Sequence, residues 1–339
     1  MLMANMLSRP LRRVVLAVVV VIVVGVGWFA LQINPVFAGK GREVIVTVHS
    51  GDSFSTITGE LHAKGVIAST FAFRLESLVL GTPQVQTGSY QLRQGSSFAK
   101  VRSVLSNAPN VNVVVASPGL TLHEIALNVA SDMGPTYANR FVAAATAAVT
   151  PSTFANSGSL EGLIGAGTYI IASSTTPSEL ANEMVRSFEK EAASVGLTPS
   201  TTISGLNAYQ LITAASIVEK EGYYPSNMPK VARVIFNRLA RGGPLQMDST
   251  VLYYFKQDGG TVTSAELATP TSYNTYLNNG LTPTPICAVS TFALNAVLHA
   301  PAGTWLYFTL INKNGDEAFS TTFAQQLKNE QIAHARGLE

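Results

Sequence analysis

From Val14 to Leu31 the chain carries no polar side chain, and Gln32 is the first to break the run. No other stretch restricts the possible folds as strongly. At about 1.5 Å rise per residue, a helical run of roughly 18–20 residues just spans a hydrocarbon core of about 30 Å. Arg9, Arg12 and Arg13 precede the run and no matching basic cluster follows. That asymmetry predicts a cytoplasmic leader (residues 1–13), a transmembrane helix (14–33) in the cytoplasmic membrane, and the bulk of the chain outside. A cleaved signal peptide is the alternative. Its apolar core is normally about 7–15 residues long, and Val36-Phe37-Ala38 offers a small-x-small site for it. No cysteine lies just after the run, which excludes a lipoprotein anchor.

The remainder is long enough for two domains. It holds one cysteine, Cys287, so neither an intrachain disulfide nor a cysteine-based metal site is available. The five histidines are widely separated and no Gly-rich phosphate loop follows a strand, so no metal or nucleotide cofactor is expected. Lysine plus arginine number 22 against 20 acidic residues. That near balance argues against a nucleic-acid partner and suits a neutral polysaccharide.

Residues 34–43 read as a linker rich in small and turn-forming residues. Three segments then repeat a pattern of Gly, a hydroxyl-bearing turn and an amphipathic helix. They begin at Gly51-Asp52-Ser53, Gly95-Ser96-Ser97 and Gly119-Leu120-Thr121, with Ser53, Ser97 and Thr121 where N-caps belong. Alternating β-branched runs at 44–48 and 111–115 precede the first and third. A strand, a Gly turn and a capped helix form a small βα unit. Residues 44–135 therefore read as a βα subdomain that resembles a glycan-binding LysM module, with a purely structural scaffold as the alternative. Further on, helices are expected over Tyr137–Thr150 and Ser178–Val195, separated by a loop at Pro151–Ser159.

Residues 206–221 (LNAYQLITAASIVEKE) form an almost wholly apolar helix, with Asn207 as cap and Gly222 as stop. Such a helix belongs in a core. Glu219 shares a face with Ile212, Ala215 and Ser216. A carboxylate at the end of an apolar stripe is expensive to ionise, which is what a general acid near neutral pH needs. Glu221 is rotated about 200° away and reads as a supporting carboxylate. The structural alternative is that Glu219 is a buried partner of Arg233 or Arg238.

The surrounding motifs bear on that choice. Ala215-Ser216-Ile217-Val218-Glu219-Lys220-Glu221 is followed by Val231–Leu239, then by Leu245-Gln246-Met247-Asp248-Ser249-Thr250. Tyr273-Asn274-Thr275-Tyr276 and Gly280-Leu281-Thr282-Pro283-Thr284-Pro285-Ile286 come next. In order and spacing these resemble the endolytic murein transglycosylases, the MltG/YceG-like family, strongly over about residues 204–325. The resemblance implies an α+β protein with an N-terminal transmembrane helix, a LysM-like βα subdomain and a mixed α+β catalytic domain at 136–339. It also implies that Glu219 is the catalytic residue. Gln246, Asp248, Thr250, Tyr273, Asn274, Thr275, Tyr276 and Pro285 would help form the substrate cleft, with Glu221 and Glu161 as further candidates. Tyrosine and asparagine offer flat apolar faces and amide hydrogen bonds that suit an N-acetylated sugar. Loop packing is the alternative for Tyr273 and Tyr276, and a turn or cap for Asp248. A lone His299 beside Ala300-Pro301 reads as structural. The chain departs from the family at Gly165-Ala166-Gly167, where relatives carry Phe, Pro and Asp, and at Glu317, near which a His is usual.

The expected reaction is cleavage between N-acetylmuramic acid and N-acetylglucosamine in nascent peptidoglycan, leaving 1,6-anhydro ends and terminating strand elongation. Peptidoglycan synthases are the implied partners. A water-using muramidase with Asp248 or Glu221 as second carboxylate is one alternative. A non-catalytic wall-binding scaffold is the other.

Overall fold

A computed structural model describes residues 9–338 except 36, 37, 39, 157, 173 and 223. The first eight leader residues and the Val36-Phe37 part of the possible cleavage site lie outside the described residues. The apolar run is helical, as expected: α1 covers Arg9–Ile33. Within it, the 22 residues Arg12–Ile33 are long and apolar enough to cross a bilayer. Val14 to Val24 are exposed, whereas Phe29 and Ile33 pack on the core described next.

The chain divides into two compact units, Met1–Val113 with Ile170–Ser173, and Val114–Tyr169 with Ser174–Glu339. The first contains β1 (Glu43–Val48), α2 (Phe54–Ala63), α3 (Thr70–Leu80), β2 (Gly88–Arg93) and α4 (Phe98–Leu105). It also holds the first half of β3 (Val111–Ala116). β1 and β2 are antiparallel, from Glu43 opposite Arg93 to Val48 opposite Gly88. Period-2 alternation sends Val46 and Val48 inward. They meet Leu61, Phe73, Tyr90, Phe98, Val101 and Leu105, all fully buried. The Phe73 and Phe98 rings cross edge to face at 5.0 Å. The predicted caps are in place: Ser53 accepts from the Thr56 amide and Ser97 from the Lys100 amide.

The second unit opens with α5 (Leu122–Met133), closed by a capping box between Thr121 and Glu124, and α6 (Pro135–Ala144). The helix expected to run to Thr150 stops at Ala144. Ala145 turns to φ −76, ψ 49, and Thr146 bridges to Ser159. The first half of β4 (Gly167–Ala172) belongs to this unit, as does α7 (Pro177–Ser194), capped by Thr176. A two-residue hairpin, β5 (Thr202–Ile203) and β6 (Leu206–Asn207), feeds α8 (Ala208–Glu221). Asn207 forms the expected cap with Gln210. Then come α9 (Met228–Ala240), α10 (Asp248–Phe255), α11 (Ser264–Leu267) and α12 (Thr291–Leu298). An antiparallel pair, β7 (Tyr307–Leu310) with β8 (Glu317–Ser320), and α13 (Phe323–Ala335) complete it.

α8 is buried on every side from Leu211 to Val218 and packs against α9 and α12. Each of Leu211, Ile212, Ile217 and Val218 is at most 1% exposed. Burying each is worth about 1.5–3 kcal/mol. Those contacts hold rigid the three charged residues at the helix's C-terminal end. Helices and small sheets together make the fold mixed α+β.

Candidate active site

The last turn of α8 aims three consecutive charged side chains in three directions. Glu219 is half-buried, and its Oε2 accepts from the Ser290 amide (2.8 Å) and Ser290 Oγ (2.6 Å). Ser290 caps α12, so the carboxylate rests at that helix's positive end. Lys220 donates from Nζ to Gly119 O (3.2 Å) and pairs with Asp258 (2.8 Å). Glu221 accepts at Oε1 from Ser249 N (3.2 Å) and Oγ (2.6 Å), at the start of α10.

Ser290 is brought to Glu219 by a backbone track along α8. The Ile286 amide donates to Ser216 Oγ (3.0 Å) and the Cys287 thiol to Ser216 O (3.3 Å). Ala288 then exchanges backbone bonds with Gly119 and Leu120 (2.8 Å each). The ion pair considered for Glu219 is absent from this arrangement. Arg233 donates to Ala300 and Pro301 carbonyls, and Arg238 to those of Leu306 and Leu245.

Two of the cavities in this unit bear on the predicted residues. The first, about 210 Å³, is lined by Glu161, Lys220, Ser249, Tyr253 and Tyr273 among others. Glu161 is 5% exposed. Its Oε1 accepts from the Leu122 amide (2.9 Å) and its Oε2 from the Tyr253 hydroxyl (3.1 Å). Burial pushes its carboxyl up to about 7, against the pull of those two bonds. Burial also raises the Tyr253 hydroxyl, and the nearby Glu161 charge adds to it. Tyr253 and Tyr273 rings lie 4.9 Å apart, and the Tyr273 hydroxyl shares a hydrogen bond with Thr284 Oγ1 (2.9 Å). Pro285 is buried beside Gly162, whose φ is +72 and where an added Cβ would lie 2.2 Å from Pro285 Cβ, so there is no room for a side chain.

The second cavity, about 570 Å³, is lined by Glu221, Arg238, Gln246, Asp248 and Tyr276, with further residues from β7, β8 and α13. The Tyr276 hydroxyl donates to Asp248 Oδ1 (2.6 Å). Burial pushes the Glu221 carboxyl above its ordinary range, against the Ser249 bonds, and the Asp248 charge adds to the rise. Gln246 is exposed in a left-handed conformation (φ 52), and its amide is tied to Thr275 O (2.9 Å).

Thr250, Asn274 and Thr275 lie inside, at 0%, 1% and 2% exposure. Thr250 Oγ1 bonds Met247 O (2.7 Å) and Thr275 Oγ1 (2.9 Å), and Thr275 Oγ1 also accepts from the Met247 amide (3.0 Å). Asn274 donates to Leu267 and Thr269 carbonyls (2.9 Å each) and accepts from the Tyr276 amide (3.0 Å). As placed, these three clamp the loops that carry Gln246, Asp248, Tyr273 and Tyr276.

The predicted residues therefore fall into groups. Glu161, Tyr273 and Pro285 gather at or beside the first cavity, and Glu221, Gln246, Asp248 and Tyr276 line the second. Glu219 lines neither and faces α12. The departures from the family also find places. A Cβ on Gly165 would meet the Phe188 amide at 2.6 Å, so contact with α7 requires glycine there. Glu317 lines the second cavity. Ser290, Ser249 and Tyr253 escaped the sequence reading. For Ser290 the signal was a hydroxyl before the apolar run 291–298, the usual mark of an N-cap.

Of the acidic residues between Thr201 and Leu310, Asp258 is taken by Lys220 and Glu266 closes a capping box with Thr263. Glu219, Glu221 and Asp248 remain available for chemistry.

Comparison with known proteins bears on the family and the fold. Over 317 residues the chain is 28% identical to an endolytic murein transglycosylase of Bacillus subtilis (strain 168), covering 88% of this chain and 87% of that one. A protein of the same name from Streptococcus pneumoniae (strain ATCC BAA-255 / R6) is also 28% identical, over 83% of this chain and 58% of its own. The crystal structure of a putative yceG-like protein, lmo1499 from Listeria monocytogenes, superposes with a TM-score of 0.58 at 24% identity. That match covers 85% of this chain and 99% of the other and shows a shared fold. The model of the YceG-like family matches residues 46–332, and the chain belongs to that family.

Proposed function

We propose that the protein is an endolytic lytic transglycosylase, held in the cytoplasmic membrane by α1 and acting outside on nascent peptidoglycan. The names of its relatives support peptidoglycan as substrate. The observation that carries the reading is Glu219 itself. It stands on a rigid helix with both Ser290 bonds on Oε2, so Oε1 is the oxygen left to work on substrate.

In this reading Glu219 gives a proton to the glycosidic oxygen as the bond from that oxygen to C1 of N-acetylmuramic acid breaks. The muramyl 6-hydroxyl attacks C1, closes the 1,6-anhydro ring and returns its proton to Glu219, so no water is consumed. Gln246, Asp248 and Tyr276, with Glu221 behind them, hold the strand on one side, and Tyr273 with Glu161 on the other. Thr250, Asn274, Thr275 and Pro285 position those groups. Residues 44–135 serve as a LysM-like glycan-contacting module before the catalytic domain at 136–339. The anchor, with its N-terminus in the cytoplasm, confines cutting to strands near the bilayer, where the enzyme terminates elongation beside peptidoglycan synthases.

A second reading is favoured by Glu161, a buried carboxyl balanced near neutral pH beside Tyr253. Two carboxyl groups are what a water-using muramidase requires. One experiment separates the two. The full chain in detergent is incubated with uncrosslinked glycan strands beside Glu219→Gln, and product masses are measured. Anhydro ends from the unmodified protein alone support the transglycosylase. Ends heavier by one water establish the muramidase, and full activity in Glu219→Gln removes Glu219 from the chemistry.

A further inference from the structure

The second cavity contains more than the residues assigned above, and part of its lining comes from β7, β8 and α13. Glu317 on β8 and Glu330 on α13 are both half-buried and line it together with Asp248. Arg238 is the one lysine or arginine among the lining residues, and its guanidinium is directed at the carbonyls of Leu306 (2.7 Å) and Leu245. Asp248, Glu317 and Glu330 thus outnumber the cation, with Glu221 as a fourth carboxyl.

An acidic lining does not by itself make a site, but a second feature points the same way. Gln326 of α13 lines the cavity at 7% exposure. Its Nε2 donates to Phe308 O (3.2 Å), to Thr309 Oγ1 and to Glu330 Oε1 (3.1 Å). Three acceptors around that nitrogen fix which way the amide faces. Its Oε1 is left buried with no hydrogen-bond partner. An unmet buried acceptor is costly, and natural structures leave few of them. The lining lacks a donor for that oxygen and enough positive charge to match its carboxyls. Tyr276, Tyr307 and Phe323 add ring faces, which attract a cation or stack on a sugar. Among the described residues no group of three or more His, Cys, Asp and Glu is placed to hold a metal ion. An ammonium offers three N–H donors on one charge and needs no fixed coordination geometry.

We propose that this cavity is a subsite for a primary ammonium group on the substrate, a reading that rests on the proposed glycan-strand activity. The cavity's 570 Å³ exceeds what an ammonium alone needs, so the sugar or peptide that bears it enters as well. Two sources share this chemistry, a glucosamine whose acetyl group has been removed and the side-chain amine of an attached peptide. An intact N-acetyl group brings no charge to the site, and a carboxylate is repelled.

The test is a binding titration of the full chain in detergent micelles with two matched pairs of probes. One pair is the glucosamine tetramer and its N-acetylated form. The other is a lysine-containing pentapeptide and the same peptide acetylated on lysine. The expected result is that the free amine binds about tenfold tighter within one pair, as charge-assisted bonds to carboxylates should produce. The pair that shows it names the source. In the Glu317→Gln/Glu330→Gln double variant, shown by its melting curve to be folded, the ratio should fall to near one. Equal binding within both pairs, or an undiminished preference in the double variant, overturns the subsite. Cleavage of strands with no amine preference overturns the subsite alone. Amine preference without any cleavage product overturns the transglycosylase and leaves the subsite standing.

Discussion

Replacing Glu161 with Gln should make the protein more stable at pH 8 than at pH 5, relative to the unmodified chain. In the folded protein the carboxyl is raised from 4.5 to about 7 by burial. Unfolding returns it to the ordinary value, so between those two pH values the folded state holds a proton that the unfolded state has lost. Stability therefore decreases as pH rises, because the unfolded state binds fewer protons. The contribution is complete below about pH 4.5 and is lost as pH climbs through 7. At about 1.36 kcal/mol for each pH unit, the difference amounts to about 3 kcal/mol. Glutamine suits the site, since its carbonyl can accept from the Leu122 amide and its NH₂ can donate to the Tyr253 oxygen. It carries no charge at any pH and so removes the dependence. The assay is thermal or denaturant unfolding of both proteins at half-unit steps from pH 5 to 8.5. For a unit of this size, the midpoints should diverge by roughly 6–12 °C across the range. A difference between the two proteins that stays flat with pH would refute the placement of Glu161 as a buried, proton-holding carboxyl.

Ser290→Ala removes one bond to Glu219 and the cap of α12, whose Ala293 amide it receives (3.1 Å). It should cost about 1–2 kcal/mol in a melting experiment and lower kcat, and unchanged turnover would detach Ser290 from the catalytic carboxylate. Ser216→Ala leaves the buried Ile286 amide without its acceptor and should cost about 1–3 kcal/mol by denaturant titration. Gly162→Ala forces a Cβ onto Pro285 at positive φ and should cost about 2–4 kcal/mol, read as a lower melting midpoint. A midpoint equal to that of the unmodified protein would show that the Gly162–Pro285 approach is looser than the structure has it.

Local features of the chain were legible because they depend on neighbours in sequence. The apolar run specifies α1, and hydroxyl or amide residues before amphipathic stretches mark Ser53, Ser97, Thr121 and Asn207 as caps. The apolar surround of α8 identified it as a core helix, with Glu219 at its end. What sequence spacing could not reveal is which distant groups each side chain meets. Glu219 and Glu221 are two residues apart, yet one rests on Ser290, 71 positions away, and the other on Ser249, 28 positions away. A 100° step per residue points the two at different helices, and only the packing of α10 and α12 against α8 says which. The same holds for the proton affinity of Glu161. It was one candidate among several until the tertiary structure enclosed it between Leu122 and Tyr253, because the cost of its charge depends on how much water the fold excludes. Thr250, Asn274 and Thr275 sit in motifs that read as cleft-forming. The fold turns them inward because their loops need those hydrogen bonds to keep buried backbone groups satisfied.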